Sequence, residues 1–197
     1  MIIGLTGSIA SGKSTIARML SEIGLPIVDA DLVARFVVEP GSETLIKIKD
    51  AFGPDVINED GTMNREKVGS IIFHNPEKRN VLNNIMHPAI RAEMLRQRDE
   101  HLANGAKHVV MDIPLLFESK LHHFVEKILV VAVSEEVQLQ RLMARNGLTE
   151  EEAKARINSQ LPMKVKVDGA DAVVYNDGTI EESEEQLKMI LTKWGVL

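Results

Sequence analysis

The sequence predicts an α/β fold built on a five-stranded parallel sheet flanked by helices, and three observations carry that prediction. Short apolar runs bounded by turn residues recur along the chain, helical periodicity fills the intervals between them, and a glycine-bearing loop joins the first run to the first helix. The runs are Ile2 to Thr6, Pro26 to Asp29, His108 to Asp112, Ile128 to Val133 and Ala172 to Tyr175. They read as near-continuous apolar stretches, which marks strands buried on both faces, as in parallel sheets covered by helices.

The first run leads into Gly7-Ser8-Ile9-Ala10-Ser11-Gly12-Lys13-Ser14, which matches the phosphate-binding pattern G-x-x-x-x-G-K-[ST]. In a strand, loop and helix context the backbone N–H groups from Gly7 to Lys13 converge on phosphate oxygens, and the helix start adds the positive end of its dipole. Lys13 then reaches the β- and γ-phosphates, and the Ser14 hydroxyl ligates Mg²⁺. Ile16, Met19, Leu20 and Ile23 fall on one face of the following helix, which Gly24 and Pro26 terminate.

The second run ends in Asp29-Ala30-Asp31, beyond the carboxyl end of a strand, where open α/β sheets bind ligands. Asp31 could take the proton of an attacking hydroxyl and Asp29 could organise water around a metal. Either could equally cap the helix that follows. Nearly eighty residues then precede the third run, too long for a simple crossover, so they form a helical insertion. Within it, Pro76 to Met86 behind an Asn75 cap and Pro88 to Asn104 closed by Gly105 read as two helices. His87 and Arg91 fall in the first turn of the second, where they could meet an anion or a hydroxyl; a cap or a packed histidine is the plainer reading.

The third run ends at Asp112, an apolar run closed by the acid that suits a water-mediated magnesium carboxylate, and Pro114-Leu115-Leu116-Phe117-Glu118 continues it. That segment reads as packing before recognition. Arg141 and Arg145 lie four apart on the helix after the fourth run, and Arg156 and Gln160 repeat the spacing. Phosphoryl transfer spreads negative charge that arginines on a mobile lid can stabilise, although solvated surface arginines have the same spacing. Thr149 with Glu152 and Thr179 with Glu182 are capping boxes opening two more helices, the last with Leu187, Ile190, Leu191 and Trp194 inward.

A chain of 197 residues, 44% hydrophobic, can bury one substantial core, and its net charge of −6 argues against a general affinity for nucleic acid or an anionic membrane. The absence of cysteine excludes disulfides, thiolate metal sites and cysteine nucleophiles, and fits a reducing interior. The start Met1-Ile2-Ile3 lacks the basic flank of a secretory signal, no apolar stretch is long enough to span a bilayer, and the cytoplasm is the expected location.

Together these residues resemble the dephospho-CoA kinase family. The likeness rests on Gly4-Leu5-Thr6-Gly7 with Ser11 to Thr15, on Asp29-Ala30-Asp31 with Ala34-Arg35, and on His87-Pro88. It continues through Asp112 with Pro114 to Glu118, Arg141 and Arg145, and Asn176-Asp177-Gly178-Thr179. It implies a P-loop nucleoside-triphosphate hydrolase fold and an ATP-dependent kinase that phosphorylates the ribose 3′-hydroxyl of dephospho-coenzyme A. The same resemblance implies Asp31 as base with Lys13 and Arg141 as the other catalytic residues, and Mg²⁺ on Ser14 with Asp29 or Asp112 through water. ATP would meet Ser8, Ala10, Ser11, Gly12, Lys13, Ser14, Thr15, Arg141 and Asn176. The acceptor would meet Asp31, Arg35, His87, Arg91, Leu115, Phe117 and Glu118. The expected division is a core of residues 1–31, 106–138 and 169–197, an acceptor-binding insertion at 32–105 and a lid at 139–168, with no obligate protein partner. Ser8 and Ala10 replace glycines usual in the family, so left-handed backbone at either would be strained. Tyr175 stands where an aspartate commonly precedes the asparagine. Another small-metabolite or nucleotide kinase is the nearest alternative; a switch or assembly NTPase is disfavoured because no N-K-x-D sequence occurs.

Overall fold

All five apolar runs become strands of one sheet in the computed structural model, which describes residues 1–197. In chain order the elements are β1 (Ile2–Gly7), α1 (Lys13–Glu22), β2 (Ile27–Asp29), α2 (Ala30–Phe36), α3 (Glu43–Phe52), α4 (Arg65–Phe73) and α5 (Pro76–Ala103). They continue with β3 (Val109–Asp112), β4 (Lys127–Ala132), α6 (Glu135–Asn146), α7 (Glu150–Asn158), α8 (Met163–Asp168), β5 (Ala172–Tyr175) and α9 (Ile180–Lys193). The chain divides into two compact units, Met1–Val28 with His101–Leu197, and Asp29–Glu100.

In the first unit the strand order is β2-β3-β1-β4-β5. The central β1 runs parallel to β3, with Leu5 opposite Asp112, and parallel to β4, with Gly7 opposite Val131; β5 runs parallel to β4 beyond it. Every residue of β1 and β3 is buried, as two-sided coverage requires. One core joins Ile3, Leu5, Val110, Leu129, Val131 and Val174 of the sheet to Ile16 and Leu20 of α1 and Leu187 and Leu191 of α9, with Ile190 and Trp194 packed at its margin. Full burial of each such aliphatic side chain contributes about 1.5–3 kcal/mol. Ile23, expected on the inner face of α1, is exposed instead. The helix stops at Glu22, and the turn through Gly24, at φ 89°, rotates Ile23 off the stripe. Both expected capping boxes form, Thr149 with Glu152 at α7 and Thr179 with Glu182 at α9.

The second unit holds α2, α3, α4 and most of α5. Ser42 and Asn64 cap α3 and α4, both of which contact the short 3₁₀ turn Pro54–Val56. Asn75 accepts from the Lys78 N–H at 3.0 Å and so opens α5 as expected. The second expected helix start is corrected: α5 is continuous from Pro76 to Ala103, with Pro88 inside it. A helix-interior proline costs about 3 kcal/mol through a lost bond and a clash with the preceding turn. What carries the helix through is a stripe of partly or fully buried residues, Leu82, Met86, Ala89, Ile90 and Met94, that stays in phase across Pro88. His87 and Arg91 therefore occupy the interior of a long helix, one turn apart and both exposed.

Candidate functional site

The phosphate-pattern loop leaves β1 at the point where the strand order reverses toward β3 on one side and β4 on the other, the usual ligand position in open α/β sheets. Two glycines are sterically required. A Cβ on Gly7 would stand 2.6 Å from the Ser11 hydroxyl and 2.8 Å from the Val131 carbonyl oxygen. Gly12 is left-handed at φ 87°, and a Cβ there would collide with the Asn176 amide, with a guanidinium nitrogen of Arg141 3.8 Å away. Gly12 also caps α1 without any side-chain hydrogen bond, and the first turn of α1 carries no acid. Its orphan N–H groups and dipole are thus left for an anion. Of the two glycine replacements, only Ala10 lies in the left-handed region, at φ 61°; the strain expected at Ser8 is absent.

Lys13, the first residue of α1, forms an ion pair with Asp112, the last residue of β3, and Asp112 is almost wholly buried. Ser14 is exposed, Thr15 and Arg141 are partly buried, and the Ser8 hydroxyl faces the Met163 sulfur at 4.0 Å. Ser11 is buried, and its hydroxyl has no hydrogen-bond partner. Arg145, four residues beyond Arg141, turns to the Asn146 side chain instead.

A second layer of side chains holds the loop from behind. Gln160 accepts from the Ile9 N–H at 2.9 Å while Gln138 donates to the Ile9 carbonyl at 2.8 Å. Lys166 donates to the Gly7 carbonyl at 3.3 Å and Asn176 to the Ser11 carbonyl at 2.9 Å. The other end of the Asn176 amide accepts from Ser183 at 2.9 Å, so this residue, expected at the nucleotide, also braces the loop. Gln138 and Lys166 were not legible as site residues. A glutamine one turn before Leu142 on a buried stripe is a weak signal, and Lys166 lies in a segment of six helical residues with no apolar period to mark an inner face.

The segment after Asp112 divides its roles. Leu115 is exposed. Phe117 is buried edge-on against His122, with ring centroids 4.9 Å apart, so its ring is spent on packing. Glu118 pairs with Lys166 at 2.9 Å and accepts from the Leu161 N–H at 3.1 Å. Burial pushes the Glu118 carboxyl up, but hydrogen bonds from Lys166 and the backbone, with the lysine's charge, outweigh it and hold its pKa below the ordinary carboxylate range.

In the second unit, Asp29 accepts from the N–H groups of Asp31 at 2.8 Å and Leu32 at 3.1 Å, which makes it the cap of α2. Asp31 stands in the first turn with its carboxylate exposed, and Arg35, one turn on, is exposed as well. One aspartate of the pair thus builds the helix and leaves the other available for chemistry.

A helix start without a side-chain cap at a sheet's switch point, with a lysine and an arginine beside it, is suited to an anion, and with the parallel sheet it defines the P-loop nucleoside-triphosphate hydrolase fold. Comparison with known proteins narrows the class. The dephospho-CoA kinase family model matches residues 1–182. A curated dephospho-CoA kinase from Bacillus anthracis is 53% identical over 197 residues, covering all of this chain and 98% of the relative. One from Geobacillus kaustophilus is 52% identical with the same coverage. Among solved structures, a dephospho-CoA kinase from Campylobacter jejuni superposes with a TM-score of 0.75 at 30% identity, covering 98% of this chain and 96% of its own. A Thermus thermophilus protein reaches 0.80 at 35%, covering 98% and 97%. The chain belongs to the dephospho-CoA kinase family.

Proposed function

We propose that this chain transfers the γ-phosphate of ATP to the ribose 3′-hydroxyl of dephospho-coenzyme A, giving coenzyme A and ADP, with Asp31 as the general base. The observation that carries the reading is the open start of α1, with Lys13 and Arg141 beside it, in a chain of this family. The Asp31 carboxylate takes the hydroxyl proton as the oxygen attacks the γ-phosphorus in line, and the bond to the bridging oxygen of the leaving ADP breaks. Lys13 and Arg141 neutralise charge on the moving phosphoryl group, and positioning supplies most of the rate.

Residues 32–105 form the acceptor side in this reading. His87 and Arg91 on α5, and Asp31 and Arg35 on α2, are exposed pairs one helical turn apart, the spacing that lets two side chains grip one group. Residues 139–168 act as the lid. The donor set suits Mg²⁺: the exposed Ser14 hydroxyl would hold it together with phosphate oxygens, and Asp112 would act through water. When bound, the ion neutralises β- and γ-phosphate charge. Asp29, whose carboxylate caps α2, is the weaker of the two carboxylate candidates. A cysteine-free chain suits a reducing compartment, and the cytoplasm is the compartment we assign.

The test is to incubate the pure protein with ATP, Mg²⁺ and dephospho-coenzyme A, and to identify the product by mass and by phosphate position. A 3′-phosphate is expected; phosphorylation only of other acceptors in a screen overturns the substrate. Asp31→Asn keeps shape but removes the proton acceptor, and single-turnover transfer should fall by roughly 10²-fold or more with both substrates still bound. Near-normal transfer removes Asp31 as the base.

A further inference from the structure

Three carbonyls of the phosphate loop, at alternate residues, are each held from outside by a buried side-chain donor: Gly7 by Lys166, Ile9 by Gln138 and Ser11 by Asn176. The donors come from three different elements, α8, α6 and the residue after β5. Lys166 is fully buried, and Gln138 and Asn176 nearly so. A buried amide is unfavourable, and a buried ammonium more so, unless it is hydrogen-bonded. Three such groups converging on one eight-residue loop therefore constrain it strongly.

A peptide unit is planar and trans, so a carbonyl and the N–H of the next residue point in opposite directions. Fixing the carbonyls of Gly7, Ile9 and Ser11 turns the N–H groups of Ser8, Ala10 and Gly12 away from the three donors. We propose that Gln138, Lys166 and Asn176 are positioning residues that aim these three N–H groups at the nucleotide phosphates, an inference that rests on the nucleotide reading of the loop. The arrangement accounts for Ala10. Left-handed backbone is strained for a non-glycine residue. Here the preceding residue, Ile9, is held at both ends, its N–H by Gln160 and its carbonyl by Gln138, so the two peptides flanking Ile9 are fixed and Ala10 keeps φ 61° without a glycine. Lys166 extends the device, because the ammonium that holds Gly7 also holds Glu118, and Glu118 holds the Leu161 N–H. The orientation of the first loop peptide is thereby tied to the segment that follows β3 and to the one that precedes α8.

The experiment compares the parent with Gln138→Met, Lys166→Arg and Lys166→Met by calorimetric binding of ADP and of inorganic triphosphate, beside melting temperature and the KM for dephospho-coenzyme A. Gln138→Met keeps length and removes the donor, and should weaken ADP and triphosphate by the same factor of about 5–10, the worth of one hydrogen bond. The KM for dephospho-coenzyme A should not move. Lys166→Arg, which retains a charged donor, should bind triphosphate more tightly than Lys166→Met. Where Lys166→Met fails to fold, Gln138→Met carries the test. Parent-like triphosphate binding by Gln138→Met overturns the proposal, and so does a loss that appears equally in the acceptor KM and in melting. A parent that binds triphosphate but does not phosphorylate dephospho-coenzyme A removes the substrate reading alone; one that binds no triphosphate removes the nucleotide reading, and this inference with it.

Discussion

Helices α1 and α9 both begin just beyond the carboxyl end of a strand in the same sheet, yet their first turns are finished in opposite ways. At α9 the Thr179 hydroxyl accepts from the Glu182 N–H at 3.2 Å, and Glu182 accepts from the Thr179 N–H at 2.8 Å, so the turn closes on itself. At α1 the cap is Gly12, no side chain closes the turn, and the loop before it carries the one left-handed alanine of the chain. The chain spends side chains on α9 where only structure is at stake. At α1 it leaves the donors open and moves the supporting residues behind the loop, to Gln138, Gln160, Lys166 and Asn176. A binding helix start is thus held by its neighbours, and a structural one holds itself.

The comparison breaks most visibly at Lys13. Lys13→Ala should lower turnover by roughly 10²–10³-fold, the loss typical of one electrostatic contact in a transition state. Circular dichroism should show the helical signal unchanged; a parallel loss of helix would mean that the open start also carries structure. The support behind the loop is tested next. Glu118→Gln leaves the buried Lys166 without its counter-charge and should cost about 2–3 kcal/mol in urea melts, less than the ~3–5 kcal/mol of a fully enclosed pair because Glu118 is partly exposed.

The same residue predicts a pH dependence. Because the folded pKa of Glu118 lies below its ordinary value of 4.5, its stabilisation is fully present above that value and is lost as the pH falls through the folded pKa. Urea melts on an acid series should therefore show the gap between the parent and Glu118→Gln narrowing as the pH drops. A gap that widened would reverse the sign of the pairing.

At the closed start, Thr179→Ala should cost about 1 kcal/mol of stability, the usual worth of an N-cap, and leave turnover and the KM for ATP untouched. A change in either kinetic constant would mean that α9 is not purely structural. The smallest effect belongs to Ala10→Gly. It relieves about 1–2 kcal/mol of left-handed strain but returns about 0.4–1 kcal/mol of entropy to the unfolded chain. The net should be a stabilisation of about 0–1.6 kcal/mol, centred below about 1 kcal/mol, read as a small rise in melting temperature. A marked destabilisation would show that the alanine methyl group itself supports the loop.

The sheet, the loop and the structural caps were legible in the linear chain because each rests on neighbours close in sequence. Apolar runs report two-sided burial, G-x-x-x-x-G-K-S reports a turn that only those residues allow, and a Thr three places before a Glu reports its own hydrogen bonds. The helix boundary expected at Pro88 rests on a local signal of the opposite kind. Pro88 suggests a helix boundary, whereas the buried stripe from Leu82 to Met94 runs through it in phase, and burial of a whole face outweighs one missing hydrogen bond.

What the sequence by itself determined is the family and with it the class of chemistry: a phosphate-pattern loop with its lysine and serine, at the end of the first strand of a parallel sheet. Only the tertiary structure decided which polar residues hold that loop. Lys166 meets Gly7 across 159 positions and Asn176 meets Ser11 across 165. It also decided that Asp29 caps α2 while the Asp31 carboxylate stays exposed, and that the Phe117 ring is consumed by packing while Leu115 remains exposed. The physical reason is that a hydrogen bond between distant residues leaves no period or spacing in the chain. Its partners are chosen when the sheet brings them together, and a buried amide or ammonium is stable only where a carbonyl awaits it.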